Sequence, residues 1–275
     1  MPRSLLWATM IDVLPPDRVV ERRDGYIAVR SPSNPTHYWG NFLVFDAPPG
    51  PGDADAWEAT FTAEFADEPR IRHRLFGWDE TTGELGAARE EFVADGYLLD
   101  ESVALVAGPG ELEPHPRENR EIEIRALAAD GDEELWRSVL ELQVANRDQR
   151  HDDEARYRAY ITRRLADLRA LFRAGRGSWY AALTPAGEVA ACCGIVVTEG
   201  RGRYQAVDTA VPHRRRGIAS RLLVEAARHA EAHHGARQLV IVADANYHAL
   251  DLYESLGFAR REHTFAVWRL PDREE

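Results

Sequence analysis

Apolar and polar residues alternate or recur at regular spacing through most of the second half of the chain. Ile122-Glu123-Ile124-Arg125 alternates with a period of two, which is typical of a strand. Apolar residues recur three and four positions apart over 132–146 and 153–174, which predicts two helices. The remaining predictions are strands at 179–183, 188–198 and 203–210, a helix from Arg216 to His234, a strand at 238–242, a helix from Asn246 to Leu256, and strands at 258–262 and 264–270. Strands and helices are therefore interleaved, as in an α/β or α+β domain.

The first half contains a shorter set of the same elements. The pattern predicts strands at 25–30, 38–46, 73–78 and 97–106, and helices at 53–67 and 83–95. The segment Glu91–Tyr97 also matches Leu252–Phe258, so that Phe92 aligns with Tyr253. The chain is either an internal duplication or carries an accessory α/β domain first, because helix–glycine–aromatic ends also recur by chance.

A segment rich in proline and glycine separates the two halves. Residues 108–116 contain three prolines and two glycines, a composition typical of a linker. The sequence therefore predicts a first domain at 1–108, a linker at 109–119 and a second domain at 120–275.

The charge of the chain is unevenly distributed. Residues 1–118 carry 22 acidic and 10 basic side chains, whereas residues 119–275 carry 24 of each. Phosphate binding needs a basic face, which argues against nucleic acid as a partner. The acidic half is compatible with steering of a cationic acceptor, and a solvated surface that keeps the protein soluble is the simpler alternative.

Two further features bear on the location of the protein. No apolar stretch approaches the roughly 20 residues of a membrane span, and no signal peptide opens the chain. The adjacent Cys192 and Cys193 lie in an apolar run and are predicted to be reduced core residues. These features predict a cytoplasmic protein without a membrane partner, and they do not indicate its oligomeric state.

The turn between the strand at 203–210 and the following helix has the features of an anion site. Gly217 and the small Ala219 stand where a helix start offers unpaired N–H groups and the positive end of its dipole. Three consecutive arginines, Arg214 to Arg216, add cationic donors. The pattern predicts a seat for a phosphate or diphosphate. For the glycine alone, an ordinary helix start with a solvated basic cluster is the better interpretation.

Two motifs strengthen the prediction of an anion site. Arg214-x-x-Gly217-x-Ala219 resembles the coenzyme A signature Gln/Arg-x-x-Gly-x-Gly/Ala of the GNAT N-acetyltransferase superfamily. Downstream, Asn246-x-x-Ala249-x-x-Leu252-Tyr253-Glu254-x-Leu256-Gly257-Phe258 resembles the second signature of that family. The resemblance covers residues 121–270 and implies a mixed, mostly antiparallel central sheet flanked by helices. A duplicated first half would then be a degenerate GNAT-like domain, because it has no matching arginine–glycine turn.

The resemblance implies where acetyl-CoA would bind as cosubstrate. In the family, two central strands splay apart at a bulge after the strand equivalent to 203–210, and the pantetheine arm enters between them. Asn246 would bind that arm near the thioester, although Asn is also a good helix N-cap. The residues implied to contact the cosubstrate are Thr209, Ala210, Val211, Arg214, Arg215, Arg216, Gly217, Ile218, Ala219, Ser220 and Asn246.

The resemblance also implies direct attack of an acceptor amine on the thioester. Tyr253 is the candidate general acid, because a phenol beside the sulfur can protonate the leaving thiolate. A backbone N–H near Val211 would stabilise the oxyanion. The alternative for Tyr253 is a core aromatic packed under the sheet.

The acceptor must lose a proton, because an alkyl ammonium with a pKa of ~10.4 is almost entirely charged at neutral pH. Asp208 is the tentative general base, and Glu199, Tyr204 or a chain of waters are alternatives. Strand alternation could instead point Asp208 away from the cleft.

His229 and His233 are four residues apart on one predicted helix, a spacing that suits a metal ligand pair. No third ligand or general-base carboxylate falls in the expected pattern. The sequence therefore predicts no metal, and histidines near the negative end of a helix dipole explain the pair.

Together these features predict an N-acetyltransferase with a small-molecule amine acceptor. A non-catalytic coenzyme A-binding sensor or assembly protein is the first alternative. A nucleotide-binding module that uses the same anion seat is the second.

Overall fold

The structure, a computed structural model, describes residues 1–147, 153–246 and 249–270. Its helices are α1 Leu5–Asp12, α2 Asp53–Glu64, α3 Glu133–Ala145, α4 Glu154–Arg173, α5 Ile218–His234 and α6 Leu250–Ser255. Its strands are β1 Val19–Arg22, β2 Tyr26–Arg30, β3 Phe42–Phe45, β4 Arg74–Trp78, β5 Leu98–Ala107, β6 Glu123–Leu127, β7 Gly177–Leu183, β8 Val189–Thr198, β9 Arg201–Thr209, β10 Gln238–Asp244 and β11 Ala259–Arg269. Among these described elements, no helix has the length and apolar character needed to cross a membrane.

The chain divides into two compact units. The first contains Met1–Ala104 and two later segments that begin at Val242 and at Arg260. The second contains Leu105–Ile241 and a segment that ends at Ala259. Each unit has a mixed, mostly antiparallel sheet with helices, so the predicted fold class is confirmed.

The units do not coincide with the predicted domain boundaries of 1–108, 109–119 and 120–275. The second half supplies β11 to the first unit, where it pairs antiparallel with β4 from Arg74↔Arg269 to Gly77↔Ala266. The predicted linker is also hydrogen-bonded to the rest of the second unit, because the N–H of Glu113 donates to the carbonyl of Leu256 at 3.1 Å. Pairing across such long sequence separation leaves no local signal at the boundary.

The first unit is built on strands in the order β1-β2-β3-β4-β11-β5. Its core consists of two clusters, one with Phe76 and the aromatic side chains of α2, the other with Leu75 and α1. Phe76 and Leu75 are consecutive on β4 and therefore point to opposite faces of the sheet. The two clusters accordingly cover the two faces.

Several local predictions for the first half were wrong. The predicted helix at 83–95 is only a π-type turn at Arg89–Val93, because Gly83 and Gly86 upstream take positive φ values of 85° and 57°. The predicted strand at 38–46 begins at Phe42, after a 3-10 turn at Tyr38–Gly40 that leads into Asn41. The Asn41 amide donates to backbone carbonyls of the preceding loop and holds that turn. The pattern also missed α1 and β1.

The first helix is held by a glutamate from the far end of the sequence. Glu262 is 9% exposed and accepts hydrogen bonds from Ser4 Oγ at 3.0 Å, Leu5 N at 2.9 Å and Leu6 N at 3.2 Å. The two backbone N–H groups, of Leu5 and Leu6, are donors that a helix start leaves without an intrahelical partner, and Ser4 is the N-cap residue. A carboxylate at this end also interacts favourably with the helix dipole.

We expect Glu262→Ala to lower the free energy of unfolding by about 3 kcal/mol, because three donors lose one charged acceptor. Glu262→Gln is the matched control, since its amide oxygen still accepts, and it should lose about half as much. Urea unfolding followed by tryptophan fluorescence measures both. An unchanged midpoint in the alanine variant would show that Glu262 does not stabilise α1.

The second unit is built on strands in the order β6-β7-β8-β9-β10. Neighbours from β6 to β9 are antiparallel, and β9 pairs parallel with β10. Trp179 on β7 packs against Trp136 of α3 at 6.0 Å between ring centroids, whereas the next residue, Tyr180, contacts His229 of α5. Because successive strand residues point to opposite faces, α3 and α5 cover opposite faces of this sheet.

The two halves share part of their connectivity, in line with the duplication that the sequence left as one of two possibilities. In each, a parallel strand pair is joined through a helix: β3–α2–β4 in one and β9–α5–β10 in the other. The matched segments also end alike, since Tyr97 N donates to Phe92 O at 3.0 Å and Phe258 N donates to Tyr253 O at 3.1 Å. Shared connectivity and shared local hydrogen bonding support an internal duplication.

Candidate functional site

A β-bulge distorts β9 in the second unit. Cys192 of β8 pairs with Asp208 of β9, and Gly194 of β8 pairs with Gln205 of β9. The two pairs are therefore two residues apart on β8 but three residues apart on β9. The extra residue lies at 206–207, and Ala206 takes a positive φ of 43°. The bulge therefore falls inside the strand, whereas the sequence comparison with the family placed it after 203–210. Its consequence is that Gln205 and Asp208 point to the same face of the sheet.

The parallel pairing of β9 with β10 is short. The register covers Arg201↔Gln238, Gly202↔Leu239 and Arg203↔Val240. β9 continues for six more residues to Thr209. β9 thus continues beyond its last parallel pair with β10, and the bulge lies in this continuation.

The turn after β9 leads into an uncapped helix. A 3-10 turn at Val211–His213 follows the strand, and Gly217 takes the N-cap position of α5 in left-handed conformation, with φ 71°. No side chain in the described part of the chain caps α5. The N–H groups of Ile218, Ala219 and Ser220 lie in the first turn, where an α-helix supplies no backbone acceptor.

Ser220 adds an unsatisfied polar atom to this helix start. Its residue is 3% exposed, and its Oγ has no hydrogen-bond partner among the described residues. A buried hydroxyl without a partner is costly, so a ligand or a water is needed to satisfy it. Together with the uncapped N–H groups, it fits the predicted anion seat.

Gly217 is required for a different reason than the sequence suggested. By sequence, the glycine belongs to a helix start that suits a bound anion. A Cβ at this position would instead lie 1.9 Å from the carbonyl oxygen of Arg117. The same segment donates from Asn119 N to Gly217 O at 3.2 Å, and Arg221 Nη1 donates to Asn119 O at 3.0 Å. The glycine therefore makes room for residues of the predicted linker behind the turn.

The three arginines of the turn differ in their contacts. Arg214 folds back, donating from Nε to Thr209 O at 3.1 Å and from Nη2 to Asn146 Oδ1 at 3.0 Å. Arg216 contacts the ring of His213 at 3.3 Å. Arg214, Arg215 and Arg216 are all exposed. Only part of the predicted cationic cluster is thus committed to holding the turn.

Asn146 is a site residue that the sequence analysis missed. It follows α3 as its C-cap, and its Nδ2 donates to Asp208 Oδ1 at 3.3 Å and to Thr209 O at 3.1 Å. Asparagine is common at the end of a helix, so its position alone gave no functional signal.

Asp208 lies on the face covered by α3. Burial raises the pKa of its carboxyl above the usual range, while the hydrogen bond from Asn146 and the charge of Arg214 oppose that rise. A carboxylate with a raised pKa is a better base near neutral pH than an ordinary one. The bulge shifts the strand alternation, so that Asp208 shares its face of the sheet with Gln205.

Two alternative bases, Tyr204 and Glu199, differ from Asp208 in their surroundings. Tyr204 is fully buried, and its hydroxyl donates to Leu223 O at 2.7 Å on the α5 face. Burial also raises the pKa of Tyr204 well above its usual value. Glu199 lies in the turn before β9, at the far end of the strand from Thr209. Nine residues of strand span about 30 Å, so Glu199 lies far from the Thr209 end of β9.

Tyr253 lies on α6 and is 4% exposed. It packs near Phe258, with ring centroids 6.3 Å apart, and Phe258 in turn contacts Tyr204 at 5.9 Å. Tyr253 thus belongs to an aromatic cluster beside β9. The same residue can pack in the core and present a hydroxyl, so its burial is compatible with both interpretations given above.

Asn246, the predicted contact of the cosubstrate arm, follows β10 in the chain. It falls in a segment of the first unit, in the turn after β10, where its N–H donates to Asp244 Oδ1 at 2.8 Å. The helix predicted from Asn246 starts only at Leu250, with Ala249 as its N-cap, so Asn246 is not a helix cap. Residues 247 and 248 of that prediction lie outside the described residues.

The histidines of α5 are engaged with the protein. His229 Nδ1 contacts Tyr180 Oη at 3.2 Å, and His234 contacts Ser178 Oγ at 3.0 Å and Gly175 O at 3.2 Å. Burial lowers the pKa of both rings, and the neighbouring histidines lower it further. Within 1–147, 153–246 and 249–270, no group of three or more His, Cys, Asp or Glu could hold a metal ion.

The corresponding turn of the first unit cannot offer the same seat. Gly52 caps α2 in left-handed conformation, as Gly217 caps α5, but acidic Asp53 and Asp55 occupy the first turn. The Asp53 carboxylate already accepts from Gly50 N at 2.7 Å. Negative side chains at a helix start compete with a bound anion and repel it.

Comparisons with known proteins cover both units. The family model described as "Acetyltransferase (GNAT) family" matches residues 136–258. No curated protein matches the sequence. A conserved protein of unknown function from Staphylococcus epidermidis shares the fold with a TM-score of 0.73 at 14% identity, over 92% of this chain and 94% of that one.

Two further solved structures are similar over most of the chain. A GCN5-related N-acetyltransferase from Kribbella flavida has a TM-score of 0.62 at 14% identity, over 91% of this chain and 89% of that one. A tandem GNAT protein from the clavulanic acid biosynthesis pathway has a TM-score of 0.57 at 14% identity, over 96% of this chain and 89% of that one. At such low identity these likenesses establish a common fold.

Proposed function

Residues 136–258 belong to the GNAT acetyltransferase family, and from this premise we propose that the chain transfers an acetyl group from acetyl-CoA to a primary amine. Membership of the family supports acyl transfer to nitrogen in general. We further propose acetyl-CoA as the cosubstrate, a primary amine as the acceptor, and specific roles for single residues.

The observation that carries the proposal is the uncapped start of α5. Its first N–H groups have no side-chain cap, and the buried Ser220 Oγ beside them has no partner among the described residues. Exposed Arg215 and Arg216 supply positive charge next to these donors. A diphosphate satisfies this set of donors, as at other helix starts that bind phosphate.

The residues of the second unit would divide the reaction between them. Asp208 would take a proton from the acceptor ammonium, directly or through water, so that the amine nitrogen can attack the thioester carbonyl. A backbone N–H near Val211 would stabilise the resulting oxyanion. As the carbon–sulfur bond breaks, Tyr253 would donate its hydroxyl proton to the departing thiolate, and the nitrogen would pass its second proton, directly or through water, to the resulting tyrosinate.

The charge of the chain favours a cationic small molecule as acceptor. Residues 1–118 carry an excess of 12 negative charges, and an acidic surface raises the local concentration of cations. Such steering would affect the approach of the acceptor and does not depend on which residues carry out acetyl transfer.

A panel of amines with acetyl-CoA, read out as release of free thiol, tests the function. We expect turnover with at least one amine of low molecular weight. Coenzyme A that raises the melting temperature without turnover across a broad panel would contradict catalysis and favour a sensor. Calorimetry with ATP and NAD is the control for the anion seat, and a preference for either nucleotide over acetyl-CoA would contradict the cosubstrate.

A further inference from the structure

The side chain of Asn146 belongs to neither sequence motif. It contacts both the proposed base and the turn that is proposed to bind the cosubstrate. Asn146, at the end of α3, contacts three groups of the second unit at once: Asp208 Oδ1, Thr209 O and the guanidinium of Arg214. These contacts bridge 62 to 68 positions of sequence. They connect the end of α3 to β9 and to the turn between β9 and α5.

The chemistry of these partners fixes the orientation of the Asn146 amide. The carbonyl of Thr209 can only accept, so it faces Nδ2 at 3.1 Å, and the guanidinium of Arg214 can only donate, so it faces Oδ1 at 3.0 Å. The Nδ2 group therefore also meets the Asp208 carboxylate, at 3.3 Å. The Nδ2 end of the amide thus faces β9, at Asp208 and Thr209, and the Oδ1 end faces Arg214.

We propose that Asn146 is a positioning residue that holds the Asp208 carboxylate through Nδ2 and anchors Arg214 through Oδ1. The proposal rests on the assignment of Asp208 as general base under the proposed function. Asn146 acts only through other residues, and no contact of its own with a substrate is required.

The surroundings of Asp208 make this contact important. Arg214 is the positive group near it, Cys192 is its cross-strand partner on β8, and Gln205 on the same face accepts from Arg164 of α4 at 2.8 Å. Burial raises the pKa of the Cys192 thiol, so it stays protonated and adds no charge. Asn146 and Arg214 are the groups that favour the charged form of Asp208 against its burial.

The direction of the effect follows from the contact. Donation from Nδ2 stabilises the charged carboxylate and so lowers its pKa. Without the donor, the pKa of Asp208 rises further, and a larger share of the enzyme carries a protonated base at neutral pH. The acid limb of the kcat/KM profile for the amine then moves to higher pH.

Two substitutions separate the two ends of the amide. Asn146→Asp keeps an acceptor for Arg214 but places a negative charge against Asp208, whereas Asn146→Ala removes both contacts. We expect Asn146→Asp to keep the acetyl-CoA Kd within about twofold and to move the acid limb further than alanine does. We expect Asn146→Ala to lower kcat/KM at neutral pH about tenfold, partly recovered at high pH, and to weaken acetyl-CoA binding. Ser138→Ala, which removes a solvent-exposed hydroxyl from the same helix, is the control and should change neither quantity.

A direct titration keeps this proposal distinct from the proposed function. Carbon-13 NMR of labelled aspartate carboxyls reports the pKa of Asp208 in the wild type and both variants without any turnover. A higher pKa in both variants supports the role of Asn146, even if no amine is acetylated. An Asp208 pKa that is the same in the wild type and in Asn146→Ala overturns it, whereas the absence of thiol release from the wild type would count against the proposed function alone.

Discussion

Replacing Tyr253 by Phe should lower kcat by about a hundredfold or more while leaving the affinity for acetyl-CoA nearly unchanged. The substitution removes one oxygen from a residue that is 4% exposed and packed near Phe258, so the packing of α6 is preserved. What is lost is the proton that the leaving thiolate needs. Steady-state kinetics with the amine identified in the panel, together with calorimetry for acetyl-CoA, separate the chemical step from binding.

Tyr204→Phe is the matched control for Tyr253→Phe. Both tyrosines are buried and both contact Phe258, but the Tyr204 hydroxyl donates to the carbonyl of Leu223. We expect the control to lose about 1–2 kcal/mol of stability and to keep most of its turnover, because it loses a structural hydrogen bond. If Tyr253→Phe kept the wild-type kcat, Tyr253 would have no part in the mechanism and its role would be that of a core aromatic.

Replacing Gly217 by Ala should abolish measurable acetyl-CoA binding and lower the free energy of unfolding by about 3 kcal/mol or more. The residue has a φ of 71°, which costs a side chain about 1–2 kcal/mol, and the new Cβ would lie 1.9 Å from Arg117 O. Because Arg117 O is a backbone atom, either the linker segment or the start of α5 must move. The first N–H groups of α5 would then lose the arrangement that suits a diphosphate.

Gly235→Ala is the matched control for Gly217→Ala. Gly235 ends the same helix with nearly the same φ, 69°, but a Cβ there would meet nothing within 4 Å. We expect it to cost about 1 kcal/mol, with no change in acetyl-CoA affinity. Urea unfolding and calorimetry measure the two quantities. Equal losses of stability in the two variants would show that the close approach of Arg117 is not what requires the glycine.

The sequence predicted the second half of the chain well because its signals are local. The helices at 132–146, 153–174 and 216–234 correspond to α3, α4 and α5, and Gly235 ends α5 as expected. Periodicity and caps depend on residues within a few positions of each other, so they can be read from the chain. The first half was predicted less well, since its turns depend on contacts such as those of Asn41.

The candidate site was predicted only where it consists of consecutive residues. The turn from Thr209 to Ser220 forms an uncapped helix start, which motif spacing could indicate. Asn146 was missed because its partners are more than 60 positions away. Glu199 and Tyr204 were considered as bases only because the sequence does not show which strand end or sheet face a side chain occupies.

By itself, the sequence determined most of the helices and strands of the second half and the chemistry of the turn at Gly217. Both follow from hydrogen-bonding groups and side-chain patterns that neighbouring residues supply. The tertiary structure alone decided that Gln205 and Asp208 share a face, because one extra residue on β9 shifts the alternation. It also decided that β11 completes the sheet of the first unit, because strand pairing is a long-range contact that local patterns do not encode.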